Sequence, residues 1–296
     1  MHIGMHLSIA GGLPQSLVRA HVLGCSALQI FVQNPRAWGW RPVPAEEIAS
    51  FRENRQRYGI KVIAAHLSYL PNLAASDEPL SRRSWERLRA ELTLAQALGL
   101  DFLVCHPGHA VDPEAGQHRL IAGLQGVVTA LPPPPLILLE NTAGQKNELG
   151  ASLIALGEIL SLCQVPVGLC LDTAHAFAAG YNLRQAEHRR RLGREIAAGP
   201  GLKALRLIHL NDSLHPCGSR RDRHWHLGQG RIGRLGLRKF ISEYASAAAA
   251  LILETPKKEP TDDLRNLALA KELAGSLLRE TPATTPRAPD PIGGGR

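Results

Sequence analysis

The sequence is poor in cysteine, and the few cysteines it has are scattered. Five occur, at positions 25, 105, 163, 170 and 217, and no two are spaced as Cys-x-x-Cys. That spacing excludes a disulfide scaffold and a thiolate zinc finger. We expect Cys105, whose side chain would point away from that of the next strand residue, to be an inert buried thiol.

Long apolar runs and a leader segment are also missing. No run approaches the roughly 18 to 20 apolar residues that a membrane-spanning helix needs. The first residues, Met1–His6, lack the basic region and the apolar stretch of a signal peptide. We therefore expect a cytoplasmic protein with no membrane partner.

The composition is that of an ordinary globular protein. Of 296 residues, 44% are hydrophobic and 20% are charged, which excludes disorder throughout the chain. Lys and Arg total 34 against 26 Asp and Glu, for a net charge of +8. Most of the basic residues are arginine, which reflects either genome composition or a polyanionic partner, and both interpretations are open here.

Short apolar runs typical of β-strands alternate with longer segments whose apolar residues recur at three- and four-residue steps. The predicted strands are His2–His6, Ala27–Phe31, Lys61–His66, Phe102–His106, Leu136–Glu140, Val167–Asp172, Ala204–His209 and Leu251–Glu254. Predicted helices include Pro44–Tyr58, Ser81–Leu98, Ser152–Leu162, Leu235–Ala248 and Asp262–Leu278. Eight such repeats indicate an α/β fold with a closed parallel (β/α)₈ barrel.

A single barrel accounts for residues 1–280, so we expect one domain. Pro132–Pro135 predicts a stiff turn before the fifth strand. Residues 281–296, rich in Pro and Gly, cannot build a core, and we expect them to form a disordered tail.

Six predicted strands end in a residue that can bind a metal: His66, His106, Glu140, Asp172, His209 and Glu254. In a (β/α)₈ barrel these ends meet at the C-terminal rim, where catalytic sites are built. Three further candidates are His175, one turn after Asp172, and the pair Asp222 and His224, which share one side of an extended segment.

Four carboxylates on one partly buried rim would repel one another unless cations neutralised them. Five histidines and four carboxylates without thiolate suit zinc, manganese or iron(II). Nine ligands exceed the usual requirement of one or two catalytic metals, and three metals sharing one bridging carboxylate would use them all.

These residues stand in segments that resemble the endonuclease IV family of apurinic/apyrimidinic endonucleases, in the xylose-isomerase-like barrel superfamily. The segments are Ala-His-Leu-Ser-Tyr-Leu at 65–70, His-Pro-Gly at 106–108, Leu-Glu-Asn-Thr-Ala-Gly-Gln at 139–145, Leu-Asp-Thr-Ala-His-Ala-Phe-Ala-Ala-Gly-Tyr at 171–181, His-Leu-Asn-Asp-Ser at 209–213, Asp-Arg-His at 222–224 and Leu-Glu-Thr-Pro at 253–256. They occur in order along the barrel region, and only the tail lies outside the resemblance.

The resemblance implies three zinc ions and a DNA-repair endonuclease that hydrolyses the phosphodiester 5′ to an abasic site in double-stranded DNA. The products would carry a 3′-hydroxyl and a 5′-deoxyribose phosphate. The implied ligand sets are His66, His106 and Glu140; Glu140, Asp172, His209 and Glu254; and His175, Asp222 and His224. We expect Glu140 to be catalytic, positioning a hydroxide that bridges two metals and attacks phosphorus in line. A monomer is expected.

The resemblance also implies DNA-binding residues: Gln33, Asn34, Arg36 and Trp38 in a loop that enters the minor groove, and Tyr69 and Leu70, which fill the gap at the lesion. A wedge beside a missing base costs less than opening an intact pair, so recognition would rest on deformability. Arg223 is a candidate phosphate contact. The alternative for Arg36 and Trp38 is an ordinary surface role.

Two other functions are open at this point. A sugar isomerase or epimerase on the same barrel would need one metal and only Glu140, Asp172, His209 and Glu254. A non-catalytic module that binds damaged DNA would use closed structural metal sites with four protein ligands each.

Overall fold

The computed structural model describes residues 1–129, 135–199 and 201–275. Eight parallel strands close into a barrel: β1 (His2–His6), β2 (Ala27–Ile30), β3 (Val62–His66), β4 (Phe102–Cys105), β5 (Leu136–Glu140), β6 (Val167–Asp172), β7 (Leu205–His209) and β10 (Ala250–Leu253). Each strand pairs with the next of these, and β10 closes the barrel on β1. The predicted fold class is confirmed, with strand ends within one residue of expectation.

Helices cover the outside of the barrel: α1 (Leu13–Val22), α2 (Ala45–Tyr58), α3 (Glu78–Leu98), α4 (Pro113–Thr129), α5 (Leu153–Leu162), α7 (Ala186–Ala198), α8 (Gly233–Tyr244) and α9 (Asp262–Gly275). The short helix α6 (Thr173–Ala178) follows β6 directly at the C-terminal rim, and all of its residues are buried. The carboxylate of Asp77 accepts a hydrogen bond from the amide of Leu80 and so begins α3 three residues before the predicted start. Gly99 ends α3 in the left-handed conformation (φ 72°), which glycine adopts without strain. A short antiparallel ribbon, β8 (Asp212–Ser213) with β9 (His224–Trp225), lies between β7 and α8.

Three predicted segments fall wholly or partly outside the described residues. They are most of the turn 132–135, the end of the last helix at 276–278, and the tail 281–296 with the domain boundary at residue 280. Among the described residues, no helix combines the length and apolar character needed to cross a bilayer.

Strand periodicity separates the core into two parts. Alternate residues fill the barrel interior, among them Ala64, Val104, Leu138, Leu207 and Ile252. The residues between them pack outward against the helices, and buried Cys105 is one of these, as predicted. Because side chains alternate with period two, the next inward position on each strand lies at the C-terminal rim. The inward positions at that rim carry the polar residues of the site.

Candidate metal centre

Glu140, at the end of β5, lies at the middle of the rim and is fully buried. Its Oε2 is 3.2 Å from Nε2 of His66 and 3.1 Å from Nε2 of His106. Its Oε1 is 2.8 Å from Nδ1 of His209. One carboxylate therefore faces imidazoles on two sides, which is the arrangement a bridging ligand requires.

A second group of donors gathers around His209, at the end of β7. Its Nδ1 lies 3.2 Å from Oε2 of Glu254, which follows β10. Ligand atoms of Glu140, Asp172, His209 and Glu254 all fall within 4.8 Å of one another. The structure thus brings together the four residues that sequence reasoning assigned to the second set.

The third group joins α6 to the loop that precedes β9. Oδ1 of Asp222 is 3.3 Å from Nε2 of His175 and 3.4 Å from Nε2 of His224. The two Nε2 atoms are 3.4 Å apart. Asp172 also reaches this group, because its Oδ2 lies 3.5 Å from Nε2 of His224. Sequence reasoning placed Asp172 in the second set alone, whereas its position allows it to serve both.

Hydrogen bonds fix the ring orientation of four of the five histidines. Nδ1 donates to the backbone carbonyl of Leu67 in His66 (2.8 Å), of Asn141 in His175 (2.9 Å) and of Glu254 in His224 (3.2 Å). In His209 the pattern is reversed, and Nε2 donates to Oε1 of Gln29 at 2.8 Å. A carbonyl oxygen only accepts, so the nitrogen bonded to it carries a hydrogen, and the other nitrogen of each ring is turned toward the carboxylates. Histidines that bind metals in proteins are held in this way.

The donor set fits divalent metal ions. In a tetrahedral site with zinc–nitrogen bonds of about 2.0–2.1 Å, ligand atoms lie about 3.3 Å from one another. The closest donor separations within the three groups run from 2.8 to 3.5 Å. Imidazole and carboxylate donors suit zinc, manganese and iron(II) alike. Cys170 lies near Glu140 and His209, but burial raises the pKa of its thiol to about 12, so the thiol keeps its proton.

Burial disfavours the ionised form of these side chains, but attraction between their opposite charges outweighs that effect. Burial works against ionised Glu140, but His209 and His106 lower its pKa well below the usual value. Burial also works against protonated His209 and His175, but neighbouring carboxylates raise the pKa of each well above the usual value. Asp222 is likewise held ionised by His175 despite burial, with a lowered pKa. The carboxylates stay ionised because positive charge lies among them, a role that bound cations would take over.

Several buried polar residues that brace the ligands were not predicted from the sequence. Gln29 of β2 donates to Oε1 of Glu254 (2.7 Å) besides accepting from His209. Asn141 and Asn211 hold Asp172, the first through its backbone and the second through its Oδ2 at 2.6 Å. Each of the three follows the strand pattern or sits beside a ligand in the sequence, and that position is the only signal that could have found them.

A cavity of about 390 Å³ lies at the candidate ligands, and two of the expected DNA-binding residues belong to its wall. Tyr69 and Arg223 line the cavity, and Tyr69 is 62% exposed. Arg36 is exposed, and Leu70 lines a neighbouring pocket with Tyr69. Trp38 is half-buried, with the guanidinium of Arg83 stacked 4.4 Å from its ring centre.

Two of the expected DNA contacts are engaged within their own loop. Gln33 is buried, and its amide group donates to and accepts from the backbone of Arg41 (2.9 and 3.0 Å). In this conformation both amide atoms of Gln33 brace the loop and do not point outward. Asn34 is exposed, and its Oδ1 accepts from the amide of Arg36 at 3.0 Å.

A closed barrel with clustered potential metal ligands at its C-terminal rim is typical of metal-dependent barrel enzymes. A family model described as a xylose isomerase-like TIM barrel matches residues 17–279 of the chain. The chain is 38% identical over 287 residues to the protein named "Probable endonuclease 4" from Cenarchaeum symbiosum, covering 93% of this chain and 100% of that protein. It is 40% identical over 278 residues to the protein of the same name from Nitratidesulfovibrio vulgaris, covering 92% and 98%.

The structural comparison agrees with the sequence comparison. The crystal structure of endonuclease IV from Thermus thermophilus superposes with a TM-score of 0.83 at 35% identity, covering 93% of this chain and 100% of that one. The chain therefore belongs to the endonuclease IV family and is a metal-dependent endonuclease, as its motifs predict. A D-tagatose 3-epimerase-like protein superposes with a TM-score of 0.71 at 18% identity, and that likeness extends to the fold alone.

Proposed function

We propose that this endonuclease hydrolyses the phosphodiester on the 5′ side of abasic sites in double-stranded DNA, leaving a 3′-hydroxyl and a 5′-deoxyribose phosphate. The proposal includes three divalent ions, zinc in the first instance, held by the three overlapping ligand sets. The observation that carries it is the third set, His175, Asp222 and His224, which a one-metal enzyme would not need. We also propose that the enzyme is a monomer and acts in the cytoplasm, where its DNA substrate would be found.

Closely spaced divalent ions supply two things to phosphodiester hydrolysis: a water of lowered pKa as nucleophile and positive charge beside the phosphate oxygens. The side chains of the three ligand sets would hold these ions and supply the negative charge that binds them. Glu140 is the shared ligand, and its ionised carboxylate sits between His66, His106 and His209 without access to solvent. Its proposed catalytic role is to fix the separation of the first two sets and thereby to place the nucleophile.

Recognition of the lesion is assigned to the two loops beside the cavity. Exposed Tyr69, with Leu70, would fill the gap left by the lost base, which costs less than displacing a paired base. Arg36, Asn34 and Trp38 would enter the minor groove, and Arg223 at the cavity wall would contact a phosphate. Gln33 would act indirectly, by holding the first of these loops in shape.

Metal analysis combined with a cleavage assay tests the proposal. The substrate is a duplex with one tetrahydrofuran abasic analogue, and the intact duplex is the control. We expect close to three metal ions per chain, one nick 5′ to the analogue, loss of nicking on chelation and its recovery on adding zinc. A metal content near one together with ketose isomerisation would replace the proposal with a sugar isomerase. Tight abasic-site binding without a nick would replace it with a binding module.

A further inference from the structure

A buried ion pair lies on α3, away from the metal ligands. Arg87 and Glu91 are 5% and 1% exposed, and Nε of the arginine is 2.5 Å from Oε1 of the glutamate. The same Oε1 accepts a hydrogen bond from Oγ of Ser68 at 2.7 Å. The second oxygen, Oε2, is buried and has no hydrogen-bond partner among the described residues.

This pair contacts both loops that carry the proposed lesion-binding residues. The first loop, residues 31–44, lies between β2 and α2, and the second, residues 67–77, lies between β3 and α3. The guanidinium of Arg87 donates to the backbone carbonyls of Asn34, Trp38 and Gly39 at 3.3–3.4 Å. Glu91 holds the second loop through Ser68, the residue before Tyr69.

The loops also touch each other directly, since the amide of Tyr69 donates to the carbonyl of Pro35 at 3.0 Å. The backbone of Tyr69 is therefore bonded to the residue before Arg36, and both loops are also bonded to α3 through the ion pair. Moving either loop alone would break this hydrogen bond or those of the ion pair.

Stability alone is a poor explanation for such a pair. A buried ion pair can often be replaced by apolar residues without loss of stability, because taking two charges out of water cancels much of their attraction. The unpaired Oε2 adds to that penalty. What an apolar pair would lack is the set of directed hydrogen bonds to the two loops.

We propose that Arg87 and Glu91 are positioning residues that hold the two loops in register, so that the wedge at Tyr69 and the side chain of Arg36 meet the same lesion. Loops that are already ordered lose less conformational entropy when DNA binds, and this raises affinity without any new contact. The inference rests on the proposed function, because it concerns how that same site recognises an abasic duplex.

The test uses the double variant Arg87→Met with Glu91→Gln, which removes both charges together and leaves no buried charge alone. The matched control is Arg189→Met with Glu243→Gln. Arg189 is also 5% exposed, and its Nε lies 2.9 Å from Glu243, but this pair joins α7 to α8 and touches neither loop. Ser68→Ala, which removes only the tie to the second loop, is a milder second variant.

For the Arg87 and Glu91 double variant we expect KM for the abasic duplex to rise about tenfold, with kcat and metal content close to wild type. Hydrogen exchange should quicken in residues 31–44 and 67–77 and not elsewhere. Ser68→Ala should raise KM about threefold by the same reasoning. The control pair should change thermal stability without raising KM.

The inference is overturned if KM rises equally in the control pair, or if kcat alone falls while both loops exchange at the wild-type rate. Failure of the proposed function looks different. In that case the wild-type protein, fully loaded with metal, does not nick the abasic duplex at all, and hydrogen exchange alone reports on the coupling of the loops.

Discussion

Replacing Glu140 by glutamine tests the central geometric feature of the site. The carboxylate offers Oε2 to His66 and His106 and Oε1 to His209. An amide of the same shape has only one oxygen, so it can serve one side while its NH₂ group faces the other. Glu140→Gln should therefore leave the fold intact and deprive one of the first two ligand sets of its shared ligand.

The expected loss of activity follows from what a metal contributes. Lewis-acid stabilisation of a transition state is worth several kcal/mol, and about 4 kcal/mol corresponds to about a thousandfold in rate. We therefore expect single-turnover nicking to slow by about a thousandfold or more. Metal content should fall by about one ion per chain, since one set loses a ligand.

The assay is nicking of the abasic duplex under single-turnover conditions, with metal analysis of the same preparation. Glu148→Gln is the matched control, because it makes the same change near the rim, where the Glu148 carboxylate accepts from the amide of Gln145 outside the three ligand sets. Full metal content with a rate within tenfold of wild type would refute the bridging role of Glu140.

Three further predictions concern the metals and the DNA. In the chelated protein the pKa values of His175 and His209 are raised, so their stabilising charge is present below about 6.5, the unfolded value, and is lost as pH rises through the folded values. The melting temperature of chelated protein should thus fall from pH 6.5 upward while that of zinc-loaded protein does not, and parallel curves would contradict this. Tyr69→Ala should weaken binding to the abasic duplex and leave metal content and binding to the intact duplex unchanged. Binding is measured by fluorescence anisotropy, and an equal loss of affinity for both duplexes would argue against a wedge. For the same duplex, Arg223→Ala should make the negative slope of log K against log salt shallower by about one, as expected for one lost phosphate contact. An unchanged slope would show that Arg223 does not contact the DNA backbone.

The barrel could be predicted because its signal is local and repeated. Each strand is a short apolar run, each helix has its own periodicity, and eight repeats leave little choice of topology. Errors of a few residues occurred at element starts such as that of α3, where a capping carboxylate and a proline in the first turn outweigh the apolar pattern.

The clustering of the candidate ligands could be predicted for a related reason, since a strand end fixes both the height and the inward direction of a side chain. What the sequence could not provide is contact between elements distant in the chain. Gln29 meets His209 across 180 positions, and Asn211 meets Asp172 across 39. The location of Asp172 between two donor groups and the buried orientation of Gln33 likewise depend on the conformation of the loops above the rim.

Of the residues that separate the proposed nuclease from a one-metal isomerase, His66 and His106 lie at barrel strand ends like the residues both would share, but Asp222 and His224 do not. The shared residues end or directly follow strands of the barrel, whereas Asp222 lies in the loop between β8 and β9 and His224 lies in β9.

Asp212, in β8, closes the longer segment from β8 to the start of α8: it is buried, and its carboxylate accepts hydrogen bonds from the amides of Ser213, Gly230, Ile232 and Gly233. A Cβ at Gly230 would lie 2.4 Å from that carboxylate, so the closure requires glycine there. These hydrogen bonds connect Asp212 to none of the candidate ligands, but Ser213, the next residue of β8, lies opposite His224 in the β8–β9 ribbon. The position of His224 therefore depends on the β8–β9 ribbon, whereas the candidate ligands at strand ends are placed by the barrel itself.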